Sequence, residues 1–381
     1  MNQIRSNLSD LVRRQRARMA TGPSAEEAGL IELAGFGANP GALRMLAFLP
    51  DDLPHHAPLV VALHGCTQDA AGFARGTGWT ALARTGGFAL LLPEQQQANN
   101  PNRCFNWFEP GDNTRGRGEV ASIHAAIQHM VATRGIDPKR VFVTGLSAGG
   151  AMAASLLATY PEVFAAGAII AGLPHGAATS MPEAFEAMST GRPRPAADWA
   201  ALVRSASPHR GSWPRVSIWQ GDADTTVRPA NAEQLVRQWA TLHGVTGAPA
   251  ESGSGAHRAH AWRDAKGEVV LEHHRIAGMA HGVPLDAGGI GQAGAYFLSV
   301  GIGSTAAIAG FFGLPAPQPG ATIDPEGRQV PPRGATIDPE GRPVPPQEEE
   351  APFTLGGIEL GKIDPSGVIR KALTAAGLIK S

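Results

Sequence analysis

Val141-Phe142-Val143-Thr144-Gly145-Leu146-Ser147-Ala148-Gly149-Gly150-Ala151-Met152 is the stretch that decides the fold. Its first four residues are an apolar run that reads as a strand. Ala151 to Leu157 are small or helix-favouring, and between the two lies a G-x-S-x-G pentapeptide. In a chain with 48 glycines the pentapeptide alone carries little weight. Its place at a strand-to-helix turn gives it a mechanical meaning. Such an elbow is so tight that the residues two before and two after the serine must lack bulk, which accounts for Gly145 and Gly149. Ser147 then projects above a sheet as a candidate nucleophile.

Outward from the elbow, residues 41–313 alternate short apolar runs with segments of helical period, the pattern of a mostly parallel sheet flanked by helices. Strands are predicted at Leu43–Leu49, Leu59–Leu63, Ala89–Leu92, Val141–Thr144, Ala166–Ala171, Val216–Trp219 and Val269–Ile276. Val120, Ile123, Ile127, Met130 and Val131 recur at helical spacing, with Gly135 and Asp137-Pro138 ending the pattern before the next strand. The fold class is α/β, and an elbow on such a sheet predicts an α/β-hydrolase fold. A last helix over Ser304 to Phe312, capped by Ser-Thr and stopped at Gly313, closes the catalytic domain.

Residues 1–40 read as an N-terminal extension, with Leu8, Leu11 and Val12 on one side of a short helix. Residues 314–350 are a Pro-rich linker in which GATIDPEGRQVPPR, from Gly320, is followed by the near-identical GATIDPEGRPVPPQ, from Gly334. Residues 351–381 end in a predicted helix with Ile369, Leu373 and Ala376 on one face.

A serine hydroxyl needs a base and an orienting carboxylate, which in this fold follow in the order Ser, Asp or Glu, His. Gly221-Asp222-Ala223-Asp224 follows a predicted strand, so either aspartate is placed at its C-terminal edge. His281 is the last histidine of the chain and has glycines close on both sides. His257, His260, His273 and His274 fall in a polar loop and a strand, where surface or edge positions are expected. The oxyanion formed by attack on an ester requires two pre-aimed N–H groups. Ala148 supplies one, and the loop His64-Gly65-Cys66-Thr67-Gln68 supplies the other, best from Cys66.

The chain has 32 basic and 33 acidic residues and a net charge of −1, so no overall field draws it to nucleic acid or acidic membranes. No apolar run is long enough to span a bilayer. Cys66 and Cys104 are the two cysteines, too few for a cysteine-rich zinc site. No metal and no cofactor is expected.

Several motifs together resemble one family, the esterases related to extracellular poly(3-hydroxybutyrate) depolymerases, which include feruloyl and acetylxylan esterases. They are His64 to Gln68, Pro93-Glu94-Gln95, Cys104-Phe105-Asn106-Trp107-Phe108, Arg117 to Val120, Val141 to Met152, Ala171-Gly172-Leu173-Pro174 and Gly221 to Val227. The resemblance places the acid at Asp224 rather than Asp222 and the base at His281. It implies a Cys66–Cys104 disulfide beside the oxyanion loop and a place for Trp107 in the acyl site. Thr67 and Pro174, within two of these motifs, are read as further substrate contacts. The expected activity is hydrolysis of poly(3-hydroxybutyrate) or its oligomers through an acyl-enzyme. The alternatives are a feruloyl or acetylxylan esterase, or a polymer- or granule-binding protein on a hydrolase scaffold. The resemblance and a disulfide imply an extracellular protein; the N-terminus lacks the apolar stretch of a secretory leader, which leaves the cytoplasm as the alternative.

Overall fold

The structure, a computed structural model, describes residues 24–26, 28–245, 247–286 and 289–316, with four two-residue strands between 322 and 359. The helices expected around Leu8 and around Leu373, and most of both repeat copies, lie outside the described residues.

Ten strands form one sheet. In chain order they are β1 (Ile31–Glu32), β2 (Arg44–Phe48), β3 (Ala57–Leu63), β4 (Ala89–Glu94), β5 (Ile136–Leu146), β6 (Ala166–Ile170), β7 (Arg215–Gly221), β8 (Ala250–Ser252), β9 (His257–Arg263) and β10 (Val269–Ile276). Their spatial order is β1-β2-β4-β3-β5-β6-β7-β10-β9-β8. The inner six, from β4 to β10, run parallel, while β1, β2, β9 and β8 pair antiparallel at the two margins. This is the mixed sheet with flanking helices expected of the fold class.

β3, β6, β4 as far as Pro93 and β5 from Val141 onward are buried on both faces, which is why they appear in the sequence as apolar runs. Leu59, Val61 and Leu63 of β3 enter one core cluster, and Val60 and Ala62 enter the other. The first cluster is closed by α4 (Gly118–Thr133), α5 (Ala148–Thr159), α7 (Ala196–Ala206) and α8 (Ala230–His243). The second is closed by α1 (Ala70–Thr77), α2 (Trp79–Gly86) and α9 (Ser304–Phe311). Two further helices, α3 (Pro110–Asn113) and α6 (Met181–Thr190), sit in loops that follow β4 and β6. Trp79, Trp199, Trp219 and Trp239 are fully buried, and truncating any one to Ala costs about 3–5 kcal/mol.

Three local readings change. Asp137-Pro138 does not precede β5 but lies inside it: Ala57 pairs with Ile136 and Leu59 with Val141, so the intervening residues bulge and the proline's missing N–H is accommodated. Ser304 does not cap α9, because its hydroxyl donates to Pro284 O at 2.8 Å; Gly313, with φ +71, does stop the helix. His257 and His260 lie on strand β9 rather than in a loop, and His273 and His274 are only 6% and 9% exposed on β10. His274 is covered by Trp219, stacked at 3.7 Å, and its Nδ1 lies 2.9 Å from His257 Nε2.

Beyond the sheet, β11 (Val283–Leu285) pairs in parallel with β12 (Phe297–Ser299). In the first repeat copy Thr322–Ile323 pairs antiparallel with Gln329–Val330, and Thr354–Leu355 pairs likewise with Ile358–Glu359. No helix among the described residues is long and apolar enough to cross a membrane.

Candidate active site

Because β5, β7 and β10 are parallel, the loops leaving their C-terminal ends gather at one edge of the sheet. Ser147 leaves β5 with φ +57 and ψ −117, a conformation that costs a non-glycine residue about 1–3 kcal/mol. The turn is held by Ser147 N donating to Ile170 O at 2.9 Å. A Cβ on Gly149 would collide with the Leu63 carbonyl, and one on Gly145 would collide with the backbone of Gly149. Both glycines are therefore required by close backbone approach. Ser147 is buried, at 9% exposure, and its hydroxyl makes no hydrogen bond with any described residue.

Of the two aspartates after β7, Asp224 reaches the histidine: its Oδ2 lies 2.7 Å from His281 Nδ1. The same oxygen accepts from Gln220 Nε2 at 3.1 Å, while Oδ1 accepts from Thr226 N at 2.8 Å and Val227 N at 2.9 Å. Burial pushes this carboxyl upward, but the His281 hydrogen bond and charge and the two backbone donors outweigh it, leaving Asp224 below its ordinary range. With Asp224 ionised, Nδ1 is the donor, so the neutral ring carries its lone pair on Nε2. Asp222 has a different task. It is exposed, its N–H donates to Ile276 O at 3.0 Å, and its Oδ1 accepts from Gly278 N at 2.6 Å, tying the histidine loop to β7.

The loop after β3 lies against the elbow; a Cβ on Gly65 would contact Leu146 at 3.5 Å. Thr67 N is taken by Asn102 O at 2.6 Å and Gly65 N by Gln68 Oε1 at 2.8 Å, whereas Cys66 N has no partner among the described residues. Ala148 N, at the first turn of α5, is likewise free, as helix N-terminal amides are. The Cys66–Cys104 disulfide is present. Trp107 is 6% exposed and packs edge-on against Phe108 at 5.5 Å; Pro174 is buried, and Thr67 is exposed with φ +65.

A buried network behind this loop is not visible in the sequence reading. His64 Nε2 accepts from Gln95 N at 3.1 Å and its Nδ1 donates to Gly65 O at 2.7 Å, which fixes a neutral tautomer; burial holds its pKa below the usual histidine value. Gln95 Nε2 donates to Cys104 O at 3.1 Å and also to Glu119 Oε1. Glu119 is 1% exposed and also accepts from Asn106 N at 2.9 Å. Burial and the charge of Asp112 hold it well above the ordinary carboxyl range despite these donors. The loop after β3, the disulfide loop and α4 are thus linked through hydrogen bonds between residues 24 and 31 positions apart.

Residues 45–267 match a family model described as Esterase PHB depolymerase, a span that holds Ser147 and Asp224 and ends before His281. The chain is 46% identical over 291 residues to poly(3-hydroxyalkanoate) depolymerase C of Paucimonas lemoignei, covering 75% of this chain and 70% of the relative. It is 34% identical over 225 residues to feruloyl esterase B of Neurospora crassa, covering 57% and 76%. Among solved structures, acetyl xylan esterase from Aspergillus awamori superposes with a TM-score of 0.64 at 25% identity, covering 74% of this chain and 98% of that one.

Proposed function

The chain belongs to the Esterase PHB depolymerase family, a carboxylic ester hydrolase of the depolymerase, feruloyl and acetylxylan esterase type, and on that footing we propose that it cleaves hydroxyalkanoate esters through Ser147, His281 and Asp224. The observation that carries this reading is the 2.7 Å bond from His281 to a buried Asp224, on loops that converge with the elbow at one edge of the sheet. His281 Nε2 takes the Ser147 proton as Oγ attacks the ester carbonyl. Cys66 N and Ala148 N receive the oxyanion, each donor contributing about 3–4 kcal/mol to the transition state. His281 then protonates the leaving alcohol, and water, deprotonated by the same ring, releases the acid from the acyl-enzyme.

The hydroxyalkanoate substrate is favoured over plant-wall esters because the depolymerase relative is 46% identical and the feruloyl esterase 34%. The disulfide fits an oxidising compartment, so an extracellular location is part of this proposal. A phosphonate ester that mimics the tetrahedral intermediate tests the nucleophile: mass spectrometry should locate one adduct on Ser147, absent in Ser147→Ala. Stoichiometric labelling elsewhere would refute the assignment.

A further inference from the structure

The small parallel pair beside the sheet sets up a contact that the mechanism above does not use. Val283 pairs with Phe297, so His281-Gly282 and Ala295-Tyr296 stand at the same end of β11 and β12. Phe297 turns inward against Phe73, with ring centroids 6.2 Å apart, whereas Tyr296 turns outward and is 41% exposed. Tyr296 has φ +66, in the left-handed region that side chains rarely adopt. It is held there by Val283 N donating to its carbonyl at 2.8 Å. Gly282 makes room for this arrangement, since a Cβ there would lie 2.7 Å from the same carbonyl. The phenol ring meets His281 edge-on, at 6.1 Å between centroids and 81° between planes. Its hydroxyl has no hydrogen-bond partner among the described residues. A strained, outward-facing aromatic ring with a free hydroxyl therefore stands beside the base.

We propose that Tyr296 walls the subsite for the alcohol side of the scissile ester and packs there against the hydroxyacyl unit that departs on acylation. The inference rests on the reading of Ser147 and His281 given above. As the Ser147 Oγ–carbon bond forms and the ester C–O bond breaks, the proton on His281 Nε2 passes to the departing oxygen. The leaving group must therefore lie on the His281 side, while the carbonyl oxygen points to Cys66 N and Ala148 N. A ring against His281 faces the first of these. In deacylation water occupies that position, leaving Tyr296 nothing to bind. The ring's apolar face suits the methyl and methylene groups of a hydroxyalkanoate unit, so the contact is with the ring and not its hydroxyl.

Two substrates with the same acyl group separate the sides: methyl 3-hydroxybutyrate, whose leaving group is methanol, and the linear 3-hydroxybutyrate dimer. Tyr296→Asn removes the ring but tolerates the left-handed backbone. It should lower kcat/KM on the dimer about tenfold and change the methyl ester less than about twofold, with Tyr296→Phe close to native on both. Equal loss on both substrates, or no loss on the dimer, would overturn the subsite and leave the esterase reading standing. Inactivity of the native chain on both, with phosphonate labelling of Ser147 intact, would overturn the hydroxyalkanoate reading and the subsite with it.

Discussion

Replacing Asp224 with Asn changes no volume, yet the hydrogen bonds around it dictate a severe outcome. Oδ1 accepts two backbone N–H groups, from Thr226 and Val227, so the amide oxygen must take that position. The amide NH₂ then faces His281 Nδ1 in place of Oδ2, and meets a second donor in Gln220 Nε2. Nδ1 must now accept rather than donate, which moves the ring proton to Nε2 and removes the lone pair that would take the Ser147 proton. The wrong tautomer in a Ser-His-Asp arrangement lowers kcat about 10⁴-fold, or about 5 kcal/mol in the barrier. The assay is turnover of a soluble short-chain ester, with urea unfolding to verify that the variant is folded. Asp222→Asn is the matched control: its amide oxygen still accepts from Gly278 N, and kcat should stay within about threefold, since that contact is an ordinary exposed hydrogen bond. A folded Asp224→Asn with less than tenfold loss, or equal losses for the two variants, would refute the assigned acid.

Removing the disulfide with Cys66→Ala and Cys104→Ala opens a loop of 38 positions, which lowers stability by about 4 kcal/mol on the chain-entropy estimate. Because Cys66 N–H is the proposed oxyanion donor, kcat should fall as well; unchanged kcat in the folded variant would contradict the role of that loop. Burial holds His175 and His243 at about 4 and, with Arg275 and two neighbouring histidines, His273 at about 3. Their folded values lie below the unfolded 6.5, so the stability they contribute is complete above pH 6.5 and is lost as pH falls toward 4. Near pH 5 unfolding should take up about three protons through them, read as the slope of unfolding free energy against pH, and His273→Gln should reduce that uptake by about one. A slope unchanged by His273→Gln would contradict the assignment.

Much of this architecture is legible in the sequence for reasons that particular residues make plain. Leu59 to Leu63 and Val141 to Val143 are buried on both faces of a parallel sheet, so nothing polar interrupts them. Gly145 and Gly149 mark the elbow because backbone presses on both, and the order Ser147, Asp224, His281 follows from the order of the strands. The margins are harder to read. β9 is HRAHAWR, half-exposed and polar, with no apolar alternation to betray it, and β11 and β12 are three residues each. Asp222 and Asp224 are chemically identical and two residues apart; only the family resemblance separated them in advance, and only the fold shows that one binds His281 and the other Gly278. The Glu119–Gln95–His64 network joins separate loops, and no local pattern announces it. Tyr296 carries no sequence signal for the same reason: its nearness to His281 is a product of strand register.

The central claim, a hydroxyalkanoate esterase working through Ser147, is tested most directly by release of 3-hydroxybutyrate from amorphous poly(3-hydroxybutyrate), run beside a soluble short-chain ester with native chain and Ser147→Ala. The native chain should turn over both substrates and the variant neither above background. Turnover of the soluble ester alone would contradict the polymer substrate, and failure of the folded native chain on both, or activity surviving in Ser147→Ala, would contradict an esterase working through Ser147.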